Sequence, residues 1–163
     1  MGKFVTVPVL LAALCQTAVA QISANSFRHH YITTDMPGEN SWGFAPSALA
    51  DFDKDGDLDY AVGNRGDKIY WFEYQEAGRW VRHELGPFSP SHLGGAVLDV
   101  DQDGWPDLII GGYWYRNPQN PRERAFSRYR YDSRIEREIH DIVTADINGD
   151  GLPDVTTGFE QGG

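Results

Sequence analysis

The apolar residues of this chain fall into short runs rather than at helical spacing. Three times over, two such runs flank a polar segment of nine or ten residues. Short runs rich in β-branched and aliphatic residues are typical of β-strands. The pattern therefore predicts three β-hairpins: Ala48–Ala50 with Tyr60–Val62, Ala96–Leu98 with Leu108–Ile110, and Ile142–Thr144 with Val155–Thr157.

Further short runs complete a repeating unit around each hairpin. Aromatic strands are predicted after the first two hairpins, at Ile69–Tyr74 and Tyr113–Tyr115. Opening strands are predicted before each of the three hairpins, at Arg28–Ile32, Trp80–Leu85 and Ser127–Tyr131. Alternation places Trp71 and Trp114 on the opposite face from their aromatic neighbours. These rings are interpreted as packing between units, with stacking on sugars as the alternative. The fold class predicted is all-β, built from four-stranded antiparallel units of about 48 residues.

The first twenty residues are predicted to be a signal peptide rather than part of the fold. Lys3 gives a positive start, an apolar run follows from Phe4 to Leu14, and Ala18-Val19-Ala20 is a small-x-small cleavage pattern. Secretion is therefore expected, with Gln21 as the mature N-terminus. The run is too short to span a membrane, which takes about 20 apolar residues.

The polar segments are three copies of one pattern. They begin at Asp51, Asp99 and Asp146, and we call them loops 1, 2 and 3, numbering each first Asp as position 1. Asp occupies positions 1, 5 and 9, Asp or Asn position 3, and Gly position 6. The three starts are 48 and 47 residues apart, so the similarity is an internal repeat.

The spacing of these oxygen-bearing residues matches the needs of a hard cation. Calcium takes six to eight oxygen ligands, and alternate side chains point inward as a chain curls around it. Glycine at position 6 allows the sharp turn, and position 7 can offer its carbonyl. The predicted ligands for about three calcium ions are Asp51, Asp53, Asp55, Asp57 and Asp59; Asp99, Asp101, Asp103, Trp105 and Asp107; and Asp146, Asn148, Asp150, Leu152 and Asp154.

Charge and composition narrow the function. Half of the 24 acidic residues lie in the three loops, where the carboxylates repel one another unless a cation lies among them. The net charge of −10 argues against nucleic acid as a partner. With a single cysteine, the chain can form neither an internal disulfide nor a Cys/His zinc cluster. The loops lack the glutamate at position 12 and the flanking helices of an EF-hand.

The loops resemble those of FG-GAP/VCBS-type repeats, and the microbial secreted branch is the closer match. The resemblance covers residues 27–163 and implies a β-propeller with one repeat per blade and one calcium ion per hairpin loop. Residues 21–163 would then form the repeat region, with blades at about 27–76, 77–124 and 125–163, the last incomplete. Gly149 looks like an insertion in loop 3. An incomplete propeller of nearly three blades is expected to be either a fragment of a longer protein or a short chain that oligomerises.

Two functions remain open at this point. The first is a secreted calcium-binding module that binds carbohydrate or an extracellular protein, or acts as a scaffold. The alternative is a carbohydrate-active enzyme resembling a polysaccharide lyase, with catalytic residues partly in missing blades. His92 and His140 precede loops 2 and 3 by similar distances. We interpret them as repeat-encoded structural histidines, and acid–base or sugar-binding roles are the alternative.

Overall fold

A computed structural model of the chain describes residues 28–36, 46–91, 93–134 and 139–159. These ranges contain ten strands and no helix, and thus no helix long and apolar enough to cross a membrane. The predicted signal peptide lies outside them. The strands are β1 (Ser47–Ala50), β2 (Asp59–Gly63), β3 (Ile69–Glu76), β4 (Arg79–Gly86), β5 (Gly95–Leu98), β6 (Asp107–Ile110), β7 (Tyr113–Arg116), β8 (Ser127–Arg130), β9 (Ile139–Ala145) and β10 (Asp154–Phe159).

The strands form three antiparallel sheets in which sequence neighbours pair. The first sheet has the order β1-β2-β3-β4, the second β5-β6-β7-β8, and the third pairs β9 with β10. Each predicted hairpin is present, with loops 1, 2 and 3 joining β1 to β2, β5 to β6 and β9 to β10. The all-β prediction is confirmed, and the sheets are blades of a partial propeller that the described strands do not close into a ring.

The strands expected to open each blade lie elsewhere. Trp80–Leu85 and Ser127–Arg130 do form strands, but they pair with β3 and β7 as the last strands of their sheets. A tight turn joins β3 to β4, with Gly78 at φ 83°, and such hairpins pair neighbours. Residues 28–32 form no strand. The full sheets therefore span 47–86 and 95–130, because a repeat period fixes the length of a unit but not its starting point.

The first strands of the three sheets lie side by side, with β5 in contact with both β1 and β9. Two glycines allow the backbones to approach closely. A Cβ atom on Gly95 would lie 3.1 Å from the Ser47 carbonyl oxygen, and one on Gly94 would lie 3.0 Å from that of His140. Adjacent first strands are the arrangement expected around a propeller axis.

The main core lies between the first and second sheets. Its largest side chains are Trp71, Tyr115, Phe52 and Phe126, all almost completely buried. The interpretation of Trp71 as a packing residue is thereby confirmed, since none of its surface is exposed. A smaller cluster joins the second sheet to the third: Ile109, Ile139 and Ile142.

The outer face of the first sheet is covered by the segment 28–36. Arg82 Nη1 donates to the Asp35 carbonyl oxygen at 2.8 Å and holds the segment in place. A cavity of about 290 Å³ remains beneath it, and the residues around it include His29, Tyr31, Tyr60, Val62 and Phe72.

Candidate metal centres

The three loops share one backbone conformation. Position 6 has positive φ in each loop, at Gly56 (103°), Gly104 (86°) and Gly151 (87°), as the turn prediction requires. Position 4 also lies in the left-handed region, and it holds Lys54 (60°), Gln102 (58°) and Gly149 (77°). Gly149 is therefore the regular fourth residue of loop 3, and the expectation that it is an insertion is wrong. It is also the one residue of the three that adopts this conformation without steric cost.

The aspartates at positions 1, 5 and 9 fix this conformation through backbone hydrogen bonds. The first Asp accepts bonds from the N–H groups of positions 5 and 6, as Asp51 does at 3.0 Å from each. The fifth accepts from position 7, as in Asp103 with Trp105 at 2.9 Å. The ninth accepts from position 2, as in Asp154 with Ile147 at 2.9 Å. The same bonds recur in all three loops.

The ninth residue also ties loop 1 to the third strand of its sheet and loop 2 to the residue that follows the third strand. Asp59 Oδ1 accepts from the Tyr74 N–H at 3.0 Å, and Asp107 Oδ1 accepts from the Asn117 N–H at 2.8 Å. Both aspartates are completely buried. Sequence reasoning assigned these residues only to metal binding and missed that they hold the loop to the sheet.

Loops 1 and 2 bring the side chains of positions 1, 3 and 9 together. The groups are Asp51 with Asp53 and Asp59, and Asp99 with Asp101 and Asp107; in each, one carboxylate oxygen per residue lies within 4.8 Å of the others. Two oxygens that bind one calcium ion at about 2.3–2.6 Å can be at most about 5 Å apart. The donor sets are all-oxygen, and the buried Asp53 Oδ2 has no hydrogen-bond partner, although it forms an ion pair with Arg122. The residues therefore fit a calcium ion.

Other predicted ligands have different surroundings. Asp55 belongs to a second group in loop 1, with Asp53 and Glu73, again within 4.8 Å. Asp103 lies outside the three-residue group of loop 2, and its Oδ2 accepts from Gln119 Nε2 at 3.0 Å. Asp57 is an exposed loop residue. Whether the carbonyls at position 7 bind a cation stays a prediction.

Loop 3 shares the backbone conformation of the other loops but has Asn148 in place of an acid at position 3. Among the described residues, Asp146, Asp150 and Asp154 do not form a three-carboxylate group of the kind found in loops 1 and 2. Asn148 Nδ2 donates to Asp150 Oδ2 at 2.9 Å and occupies that oxygen. The loop is also more exposed: residues 146–153 are all exposed and Asp154 is half-buried, whereas Asp59 and Asp107 are completely buried.

Burial makes negative charge costly in the gathered loops. Desolvation raises the pKa of Asp59 to about 7, against the opposing effect of its two backbone hydrogen bonds. The same cause raises the pKa of Asp107 and of Asp53, although Arg122 opposes the increase for Asp53. A cation among these groups would favour their ionised forms.

Two arginines contact the acids at positions 3 and 5. Arg122 Nη2 lies 2.7 Å from Asp53 Oδ2, an ion pair without hydrogen-bond geometry, and 2.9 Å from Asp55 Oδ2. Arg116 lies 2.5 Å from Asp101 and 3.3 Å from Asp103. Sequence reasoning identified neither arginine as a contact of the loops.

Glu73 connects loop 1 to a small buried network. Its Oε1 accepts from Arg122 Nε at 3.0 Å and from Nη2 at 2.7 Å, and its Oε2 lies 2.8 Å from His83 Nε2. Although burial opposes it, the bonds from Arg122 and His83 lower the pKa of Glu73. The His83 ring stacks on Trp71 with centroids 4.5 Å apart.

The structural role interpreted for His92 and His140 stays a prediction. His140 Nδ1 lies 3.2 Å from Asp141 Oδ2 at an exposed position. His92 lies outside the described residues, so the predicted equivalence of His92 and His140 stays a prediction.

Fold and loops together define a repeat protein of the β-propeller type, with one acidic loop in each repeat. Comparison with protein-family models finds the FG-GAP-like repeat twice, over residues 51–110 and 99–157. The chain therefore belongs to the FG-GAP-like repeat family, which confirms the FG-GAP part of the resemblance; the closer match to the microbial secreted branch stays a prediction. Each match begins at position 1 of a loop and extends into the strand after the next loop. Comparisons with curated proteins and with solved structures found no match.

Proposed function

We propose that the chain is a secreted module that binds calcium and serves either to bind a further ligand or as a scaffold. The observation that carries the calcium assignment is the grouping of three carboxylate oxygens within 4.8 Å in loops 1 and 2. It is supported by the conformation that all three loops share. Asp51, Asp53 and Asp59 would hold the ion in loop 1, and Asp99, Asp101 and Asp107 in loop 2. The ion would supply positive charge where burial disfavours the ionised carboxylates.

Calcium would stabilise the fold rather than take part in a reaction. The acids at positions 1 and 9 already hold each loop through backbone hydrogen bonds. A bound ion adds folding free energy because the unfolded chain has no formed site. Supports for secretion are the basic, apolar and small-x-small pattern of residues 1–20. Carbohydrate or an extracellular protein is the further ligand we propose, and a glycan array with the purified chain tests it.

Equilibrium dialysis with a loop 2 variant tests calcium binding directly. Asp101→Ala is the sharpest change, because it removes the ligand oxygens of Asp101, which contributes to the carboxylate group without a hydrogen bond to the backbone of its loop. We expect about three ions in the wild-type chain and one fewer in the variant. The control is Asp132→Ala, since Asp132 pairs with Arg134 away from the loops. No bound calcium at millimolar concentration, or equal binding by both variants, would contradict the proposal.

A further inference from the structure

Arg122 reaches a predicted metal loop that belongs to a different sheet. It lies in the connection between β7 and β8 of the second sheet, which we call the 117–126 segment, and it contacts loop 1 of the first sheet. Within the segment, Asn117 Nδ2 also donates to the Phe52 carbonyl oxygen of loop 1 at 2.9 Å. The segment thus connects the two sheets through loop 1.

The guanidinium shares an acid with the proposed calcium site. Asp53 belongs both to the group with Asp51 and Asp59 and to the group with Asp55 and Glu73. Its side chain is 2% exposed. Arg122 Nη2 lies 2.7 Å from Asp53 Oδ2, so a cation bound to this oxygen at about 2.6 Å would lie within roughly 5 Å of the guanidinium nitrogen. Two positive charges at this distance in a partly buried site repel each other strongly.

A second arginine takes the same place in loop 2 from another part of the chain. Arg116 pairs with Asp101 and Asp103, which are positions 3 and 5, as Arg122 pairs with Asp53 and Asp55. The registers of β2 with β3 and of β6 with β7 align Arg116 with Glu73. Beside loop 1 the acid Glu73 therefore occupies the position that Arg116 occupies beside loop 2. The arginine that pairs with loop 1, Arg122, comes from the neighbouring sheet.

We propose that Arg122 competes with calcium at loop 1, an inference that rests on the proposed function. The competition would couple cation binding to the contact between the first and second sheets. Calcium entry would weaken the pairs of Arg122 with Asp53 and Asp55, whereas Glu73 would retain the guanidinium at two contacts. The 117–126 segment would then be less firmly held to loop 1. Arg116 would compete at loop 2 without this coupling, because β7 and loop 2 belong to one sheet.

Calcium titration of the full chain with matched variants tests the competition. We expect Arg122→Gln to raise the affinity of one site by about fivefold or more, since it removes a repelling charge. Arg122→Lys keeps the charge and should retain most of the wild-type affinity. Arg116→Gln should raise the affinity of a different site. If calcium binds the wild-type chain and Arg122→Gln leaves every affinity unchanged, the competition is wrong; if calcium binds nowhere, the proposed function itself fails.

Hydrogen exchange of the 117–126 segment tests the coupling. In the wild-type chain, saturating calcium should speed amide exchange at residues 122–126, the part of the segment away from the loop 2 contacts of Asn117 and Gln119, and Arg122→Gln should remove this calcium dependence. Arg116→Gln is the control and should preserve it. Arg122→Gln should also lower the melting temperature more in chelator than in saturating calcium, because its buried partners then lack a counter-charge. An equal decrease in both solutions, or exchange that calcium leaves unchanged, would show a merely structural link and overturn the proposal.

Discussion

The contact between the first and second sheets differs from that between the second and third, although the same repeat builds both. Position 2 of the loops shows the difference most directly. Phe52 in loop 1 has none of its surface exposed, whereas Val100 in loop 2 is 36% exposed and Ile147 in loop 3 is 66% exposed. Phe52 packs edge-on against Phe126, with ring centroids 5.9 Å apart. Burial at this repeat position is therefore set by what packs on it, and in loop 1 Phe126 of the 117–126 segment covers Phe52.

The largest effect is expected from truncation at position 2 of loop 1. Phe52→Ala should lower the free energy of unfolding by about 3–5 kcal/mol, because it leaves a cavity in the main core. Val100→Ala should cost about 1 kcal/mol or less, and Ile147→Ala less again, since both side chains are already partly in water. Chemical denaturation of the three variants measures the series. Similar losses at all three positions would show that the sheet contacts are equivalent after all.

Asn117 provides the polar half of the same contact. Its Nδ2 donates to the carbonyl oxygens of Phe52 and Pro106, at 2.9 and 3.1 Å, and its side chain is buried. Asn117→Ala should cost about 1–3 kcal/mol, because two carbonyl groups lose a partner. Asn120→Ala in the same segment is the control. Its one side-chain donor contact is a 3.4 Å bond to Glu123. Equal losses of unfolding free energy in the two variants would show that the stability depends on the segment as a whole and not on the Asn117 hydrogen bonds.

The sequence predicted the local parts of this contact but not its assembly. Hairpins and loops follow from residues close together in the chain, so the apolar runs and the aspartate spacing indicate them. The pairing of Arg122 with Asp53 joins positions 69 residues apart, and no local pattern marks it. The place of Gly149 in the repeat, by contrast, could have been read from the sequence. Counting from Asp146 aligns Gly149 with Lys54 and Gln102 at position 4, where all three residues are left-handed.

Buried acids of the loops should make stability depend on pH in chelator. The pKa of Asp59 is raised from an ordinary 3.8 to about 7, so the folded chain holds a proton that the unfolded chain releases between these values. The free energy of unfolding should therefore decrease as pH rises through this window, by at most about 1.4 kcal/mol per pH unit. Saturating calcium should oppose the decrease, because it favours the ionised carboxylate.

Denaturation at several pH values measures this slope. Asp59→Asn should flatten it, whereas Asp57→Asn, at an exposed position of the same loop, should leave it in place. A slope that persists in Asp59→Asn would assign the effect to another group.

The smallest effect is expected on the outer face of the third sheet. Val143 of β9 is 62% exposed, whereas Val62 of β2 is 2% exposed and lies beneath the segment 28–36. Val143→Thr should change the free energy of unfolding by less than about 0.5 kcal/mol. Val62→Thr should cost about 1–3 kcal/mol, because the same hydroxyl would then be buried in an apolar setting. Thermal and chemical denaturation compare the pair at equal side-chain size. A loss of stability at Val143 as large as that at Val62 would mean that the outer face of the third sheet is covered in solution. The outer faces of the first and third sheets would then be alike.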